Sequence, residues 1–79
     1  MPLTAPAMVD GWLAVPYDGP ELVAPELAVG RNPGPDDYVP AFLDYLDGQR
    51  VAKIRPPAGD LTRVWLRVNG TPTMVGGLR

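Results

Sequence analysis

Eleven prolines are scattered along 79 residues, together with nine glycines. Each proline fixes φ and withholds a backbone donor, so a helix interior loses a hydrogen bond and gains a clash wherever one falls. A helical bundle is therefore excluded, whereas a mainly β chain accommodates prolines at edges, bulges and turns. Proline and glycine at this level border on the disordered class when no period is present. Against disorder stand a hydrophobic content of 46% and a net charge of only -2. Such a chain has apolar surface to bury and little charge to hold it open, so it folds with many turns.

Residues 1–79 make one domain, near the size at which a single core needs reinforcement. The sequence contains neither cysteine nor histidine. A disulfide is excluded and the nitrogen and sulfur metal ligands are missing, so no cofactor and no metal are expected. The remaining reinforcement is association with copies of itself or docking onto something larger. The N-terminus, "MPLTAPAMVDGWLAV", lacks a basic signal-peptide region. No apolar run approaches the roughly 18 residues of a membrane helix, so a soluble, unsecreted cytoplasmic product with no membrane partner is expected.

Residues 1–11 read as an extended arm, because Pro2 and Pro6 push the residues before them out of the helical region. Residues 12–30 read as short strands. "WLAVPY", from Trp12 to Tyr17, carries Pro16 inside it and so reads as an edge strand or a bulge. "YDGP" turns the chain, "ELVAPELAV" reads as two pieces broken at Pro25, and "GRNPGPDD" is a loop.

Over residues 36–48, Val39, Phe42, Leu43 and Leu46 recur at helical spacing, which predicts one short helix with its apolar face over 39–47. Pro40 suits its first turn, the preceding aspartates its N-terminus and Gly48 its stop. After it come "RVAKIR", "TRVWLRV" and "TPTMV", the last two joined by Asn69-Gly70, the strongest short hairpin signal. The expected fold is thus mainly β with one short helix, a small α+β domain. In it a three-stranded antiparallel meander over 50–75 packs on the helix, and a proline-rich arm precedes them.

Alternation divides that meander into two faces. Ala52, Ile54, Val64, Leu66 and Val68 point to a core covered by Phe42, Leu43 and Leu46, leaving Lys53, Arg55, Arg63, Trp65 and Arg67 together on the opposite face. Charge is segregated as well: residues 1–47 hold eight acids and one base, and residues 48–79 hold six bases and one acid. Three readings of the basic face compete. It grips phosphates while Trp65 stacks on a base; it meets acidic protein surface, its own or a neighbour's; or its arginines are simply solvated with their stems over the indole. An acidic chain with a single stacking aromatic on this face disfavours nucleic acid. Arg and Trp are frequent at interface hot spots, which favours a protein partner. Tyr38 and Tyr45, seven apart, and Trp12 join the five basic-face residues as interface candidates.

Catalysis finds few tools here. With no Ser, Cys or His the usual nucleophile-base pairs cannot be built. Asp36, Asp37, Asp44 and Asp47 lack the spacing of a calcium loop and read as solvated charges.

"VWLRVNGT", Val64 to Thr71, resembles the strand-turn-strand units of structural proteins in actinobacterial phage virions, with Pro72 a departure in the returning strand. The abundance of Ala, Gly, Pro and Arg, encoded by G- and C-rich codons, suits such a GC-rich source. The resemblance implies a non-enzymatic accessory virion subunit, a capsid decoration or minor head or tail protein. Its partners would be copies of itself or a larger capsid or tail protein. The alternative is a small regulatory module that binds nucleic acid or a host protein through the basic hairpin.

Overall fold

The computed structural model describes residues 3–20 and 22–78. Their strands are β1 (Ala7–Val9), β2 (Trp12–Pro16), β3 (Glu26–Val29), β4 (Val39–Pro40), β5 (Phe42–Leu46), β6 (Gln49–Ile54), β7 (Val64–Val68) and β8 (Thr71–Gly76). A single 3-10 turn, Pro35–Asp37, lies between β3 and β4. The strands form two antiparallel sheets of four, in the orders β1-β2-β6-β5 and β4-β3-β7-β8.

Three two-residue turns build the hairpins. Asp10-Gly11, Asp47-Gly48 and Asn69-Gly70 all have positive φ at both positions, 51° and 82°, 50° and 82°, and 52° and 79°. Two consecutive positive φ values define the type I′ turn, whose twist matches that of the strands it joins. They set Val9 opposite Trp12, Leu46 opposite Gln49 and Val68 opposite Thr71.

The helix expected over 36–48 is absent; the segment is β4 and β5. Asp47-Gly48 turns it back onto β6 as a hairpin rather than stopping a helix. The helical spacing of Val39, Phe42, Leu43 and Leu46 is a coincidence of two consecutive strands, Val39 lying in β4 and the other three on both faces of β5. Leu43 packs against the core, whereas Phe42 and Leu46 lie on the other side, and Phe42 is 63% exposed rather than covering anything. Pro40 ends β4, and at Ala41 the chain passes from one sheet to the other, its N–H donating to the carbonyl of buried Pro25 at 3.0 Å. Such corners are where strands switch sheets in packed sandwiches.

The meander expected over 50–75 is also corrected. β7 and β8 pair as a hairpin, but β6 lies in the first sheet between β2 and β5, while β7 lies in the second between β3 and β8. Residues 55–63, with Pro56 and Pro57, cross from one sheet to the other instead of turning tightly. β2 is likewise an interior strand, flanked by β1 and β6, and Pro16 sits at its last residue, where the ladder ends.

The sheets face each other across one core. Leu13, Val15, Tyr17, Ala52 and Ile54 of the first meet Leu27 and Val64 of the second, with Val29, Leu43, Leu61, Leu66, Val68, Val75 and Leu78 packed around them. Burying each of the larger aliphatic side chains contributes about 1.5–3 kcal/mol. The segment after β8 closes the sandwich: Leu78 N–H donates to Leu61 O at 2.8 Å. Gly77 passes so close to Thr62 that an added Cβ would lie 2.1 Å from the Thr62 carbonyl atoms.

That approach generates a matched pair of expectations. Gly77→Ala lowers the unfolding free energy by about 1–3 kcal/mol, as overpacked sites do. Gly34→Ala, where φ is -81° and the new methyl would meet only ordinary contact at 3.5 Å, leaves it within about 0.5 kcal/mol. Urea titration of both variants measures the contrast.

Candidate functional site

Residues directly opposite in an antiparallel pair share a face, so register places every candidate side chain. The basic residues do not form one patch. Arg63, Trp65 and Arg67 project from the outside of the second sheet, while Lys53 and Arg55 project from the outside of the first, on the far side of the core. The split follows from β6 and β7 belonging to different sheets.

On the second sheet the stripe is tied to its own chain. Arg67 makes a two-pronged contact with Glu26, Nε to Oε1 at 2.9 Å and Nη2 to Oε2 at 2.8 Å, and its Nη1 donates to Pro35 O at 3.3 Å. Its guanidinium lies 4.3 Å from the ring centre of Tyr38. The hydrogen bond from Arg67 holds the Glu26 carboxyl below the usual glutamate range, and partial desolvation works against this. Trp65 donates its indole N–H to Gly30 O at 2.9 Å, and Arg63 lies 4.0 Å from Asp60. Arg67 spends three of its five N–H donors within the chain, and the Trp65 indole N–H is committed to a carbonyl, so this face offers a partner less than its sequence suggests.

On the first sheet the outer face surrounds a few polar groups, Lys53, Asp44, Gln49 and Arg55, with apolar side chains. Val9 opposes Trp12, Ala14 and Phe42 both oppose Lys53, Pro16 and Asp44 both oppose Val51, and Leu46 opposes Gln49. Ala14 and Val51, at 1% and 0% exposure, form the floor of a shallow hollow of about 100 Å³ walled by Val9, Asp10, Trp12, Asp44, Leu46 and Lys53. Trp12 meets Phe42 edge-on with centroids 5.9 Å apart, and Arg55 and Lys53 approach the indole at 3.9 and 4.6 Å. Lys53 Nζ donates to Asp44 Oδ2 at 2.6 Å, and this bond chiefly holds the Asp44 carboxyl below its ordinary range.

Trp12, Lys53 and Arg55 are thus brought together, whereas Tyr38 belongs with Arg67 on the other side. Tyr45, 58% exposed, lies with Tyr17, Gln49 and Arg50 at an open hollow of about 450 Å³ at the end of the β5–β6 hairpin. There Gln49 reaches back to the arm, accepting from Leu3 N–H at 2.7 Å and donating to Leu3 O at 2.8 Å. Phe42, Asp44, Leu46 and Val51 join the site although the sequence does not single them out: a helix over 39–47 sends Phe42 and Leu46 to the core, Asp44 reads as a solvated charge, and Val51 carries no signal of its own. The Asp47-Gly48 pair was the signal that would have placed them on a hairpin. Among the described residues no cluster of three carboxylates is placed to hold a metal ion, and no helix is long and apolar enough to cross a membrane.

No protein-family model, no curated protein and no solved structure matches this chain.

The Arg67 contact sets a pH dependence. A carboxyl whose folded pKa is depressed contributes stability that is present above its unfolded pKa, about 4.3 for Glu, and is lost as pH falls through the folded value. Glu26→Gln should therefore lower the melting temperature at pH 7, and its deficit relative to the parent should shrink steadily below about pH 4. Thermal melts of both proteins across pH 2 to 7, in steps of about one unit, test this; a deficit independent of pH would contradict it.

Proposed function

We propose that the chain is a non-enzymatic assembly protein that acts through protein–protein contacts, with the outer face of the first sheet as its docking surface. The observation that carries this reading is the character of that face. An antiparallel sheet with one solvated side normally alternates apolar inward and polar outward. Here the outward side also carries Val9, Trp12, Ala14, Phe42, Leu46 and Val51 around the Lys53–Asp44 pair, and Phe42 stands 63% exposed beside Trp12. Aromatic anchors over an apolar floor are the usual centre of a protein interface.

The charges support the same choice. Lys53, Arg63 and Arg67 lie within 4.0 Å of Asp44, Asp60 and Glu26 of the same chain. Cations that are paired internally and divided between two opposite faces offer little net neutralisation to a phosphate backbone. The lack of Ser, Cys and His removes the common nucleophiles and the commonest general base. In its most concrete form the protein is an accessory virion subunit, a capsid decoration or minor head or tail protein. That form rests on the resemblance of Val64 to Thr71 alone.

Two measurements test the reading. In a density gradient of lysate from the producing cells, mass spectrometry should find the chain in the particle band at a constant ratio to the major shell protein. Recovery only from the soluble fraction overturns the virion form. In anisotropy titrations with a single-stranded oligonucleotide, binding should be no tighter than about 10⁻⁴ M at moderate salt. Tight binding that falls steeply with salt and weakens on Trp65→Ala would establish the nucleic-acid alternative instead.

A further inference from the structure

We propose that two copies of this chain pair face to face through the outer surface of the first sheet, about a twofold axis that passes between their Asp44–Lys53 ion pairs. This rests on the assembly reading and names the partner for its docking surface.

A twofold contact requires a surface that is complementary to itself. The hydrophobic part meets that requirement without further conditions, since Trp12, Phe42, Leu46 and the floor at Ala14 and Val51 are apolar whichever way the copies are turned. The charged part is what selects the partner. At the centre of the apolar face sit one cation and one anion, Lys53 and Asp44, 2.6 Å apart. An arbitrary apolar partner would cover these two charges and leave their remaining hydrogen-bonding capacity unused, which is costly for buried ions. A second copy related by a twofold axis brings an identical pair in reversed order, so that Lys53 of each copy faces Asp44 of the other.

Both groups retain capacity for this. The Lys53 ammonium has three donors and gives one to Asp44; the Asp44 carboxylate accepts from Lys53 and from Tyr45 N–H at 2.7 Å, and has lone pairs left. Neither ion is stranded on association, because each keeps its intramolecular partner. Arg55, exposed and lying over Trp12 at the end of β6, stays at the polar rim. Sheets that pack this way stand about 10 Å apart, close enough for Phe42 and Trp12 of the two copies to interdigitate.

Sedimentation of the whole chain over a concentration series tests the pairing. A monomer–dimer equilibrium is expected, with a Kd of about 1–100 µM for an interface of this modest kind. Asp44→Lys places two cations at the centre of the face and Lys53→Glu places two anions there, so each variant alone should dimerise at least about tenfold more weakly. An equimolar mixture of the two should recover an affinity within about threefold of the parent, because opposite centres now meet. Phe42→Ser, at an exposed position, should weaken dimerisation while shifting the melting temperature by no more than about 4 °C. It carries the test if either charge variant fails to fold.

A parent chain that stays monomeric throughout overturns the proposal, as does a mixture no stronger than its components. A monomer that is nevertheless found in the particle band overturns the pairing and leaves the assembly reading standing. A dimer that is absent from particles does the reverse.

Discussion

Three pairs of adjacent positive-φ residues organise this molecule. Asp10-Gly11, Asp47-Gly48 and Asn69-Gly70 each reverse the chain in two residues, and a two-residue reversal leaves no freedom in which residues face each other. Because side chains alternate with a period of two, a slip of one residue would exchange the inner and outer faces of a strand. Within each hairpin the turn thereby determines which side chains share a face. The turns set Trp12 opposite Val9 and Phe42 opposite Lys53 within their hairpins, whereas the facing of Ala14 and Lys53 depends on the long-range pairing of β2 with β6.

Two sheets built from such hairpins still have edges to manage. β4 is two residues long and contains Pro40, β1 is three residues long and follows buried Pro6, and β8 carries Pro72 near its turn and meets a register irregularity at Val64/Trp65 at its other end. The prolines that exclude a helical bundle are thus reused as edge guards and corners. Pro25 shows the second use: it is buried, and its carbonyl receives Ala41 N–H at the point where the chain changes sheets.

The two outer faces have opposite characters, and the physical difference lies in where the charges find partners. On the second sheet Arg67 is held by Glu26, Pro35 and Tyr38. The carboxylate that a partner would have to offer is already supplied from within the chain, by strand β3. On the first sheet the ion pair sits among apolar side chains and is too small to make the face polar. The acidic first half and basic second half of the sequence are therefore not two separate patches. Folding interleaves them, with Glu26 against Arg67 and Asp44 against Lys53.

The amino-acid sequence specifies on its own a turn-rich β chain, the Asn69-Gly70 hairpin, the inward set Ala52, Ile54, Val64, Leu66 and Val68, and the outward set Lys53, Arg55, Arg63, Trp65 and Arg67. These are local properties: proline and glycine act on their own φ, and alternation acts between neighbours. It misled over 36–48, where apolar residues on both faces of a strand imitate a helical period, and over the pairing of β6 with β7. That these two strands belong to different sheets emerges from the folded chain alone, since which strand pairs with which depends on contacts between residues far apart in the chain, such as Val15 with Ala52 and Ala28 with Trp65. That one decision divided the outward set between two faces, joined Trp12 and Phe42 to Lys53 and Arg55, and left Arg67 with Glu26.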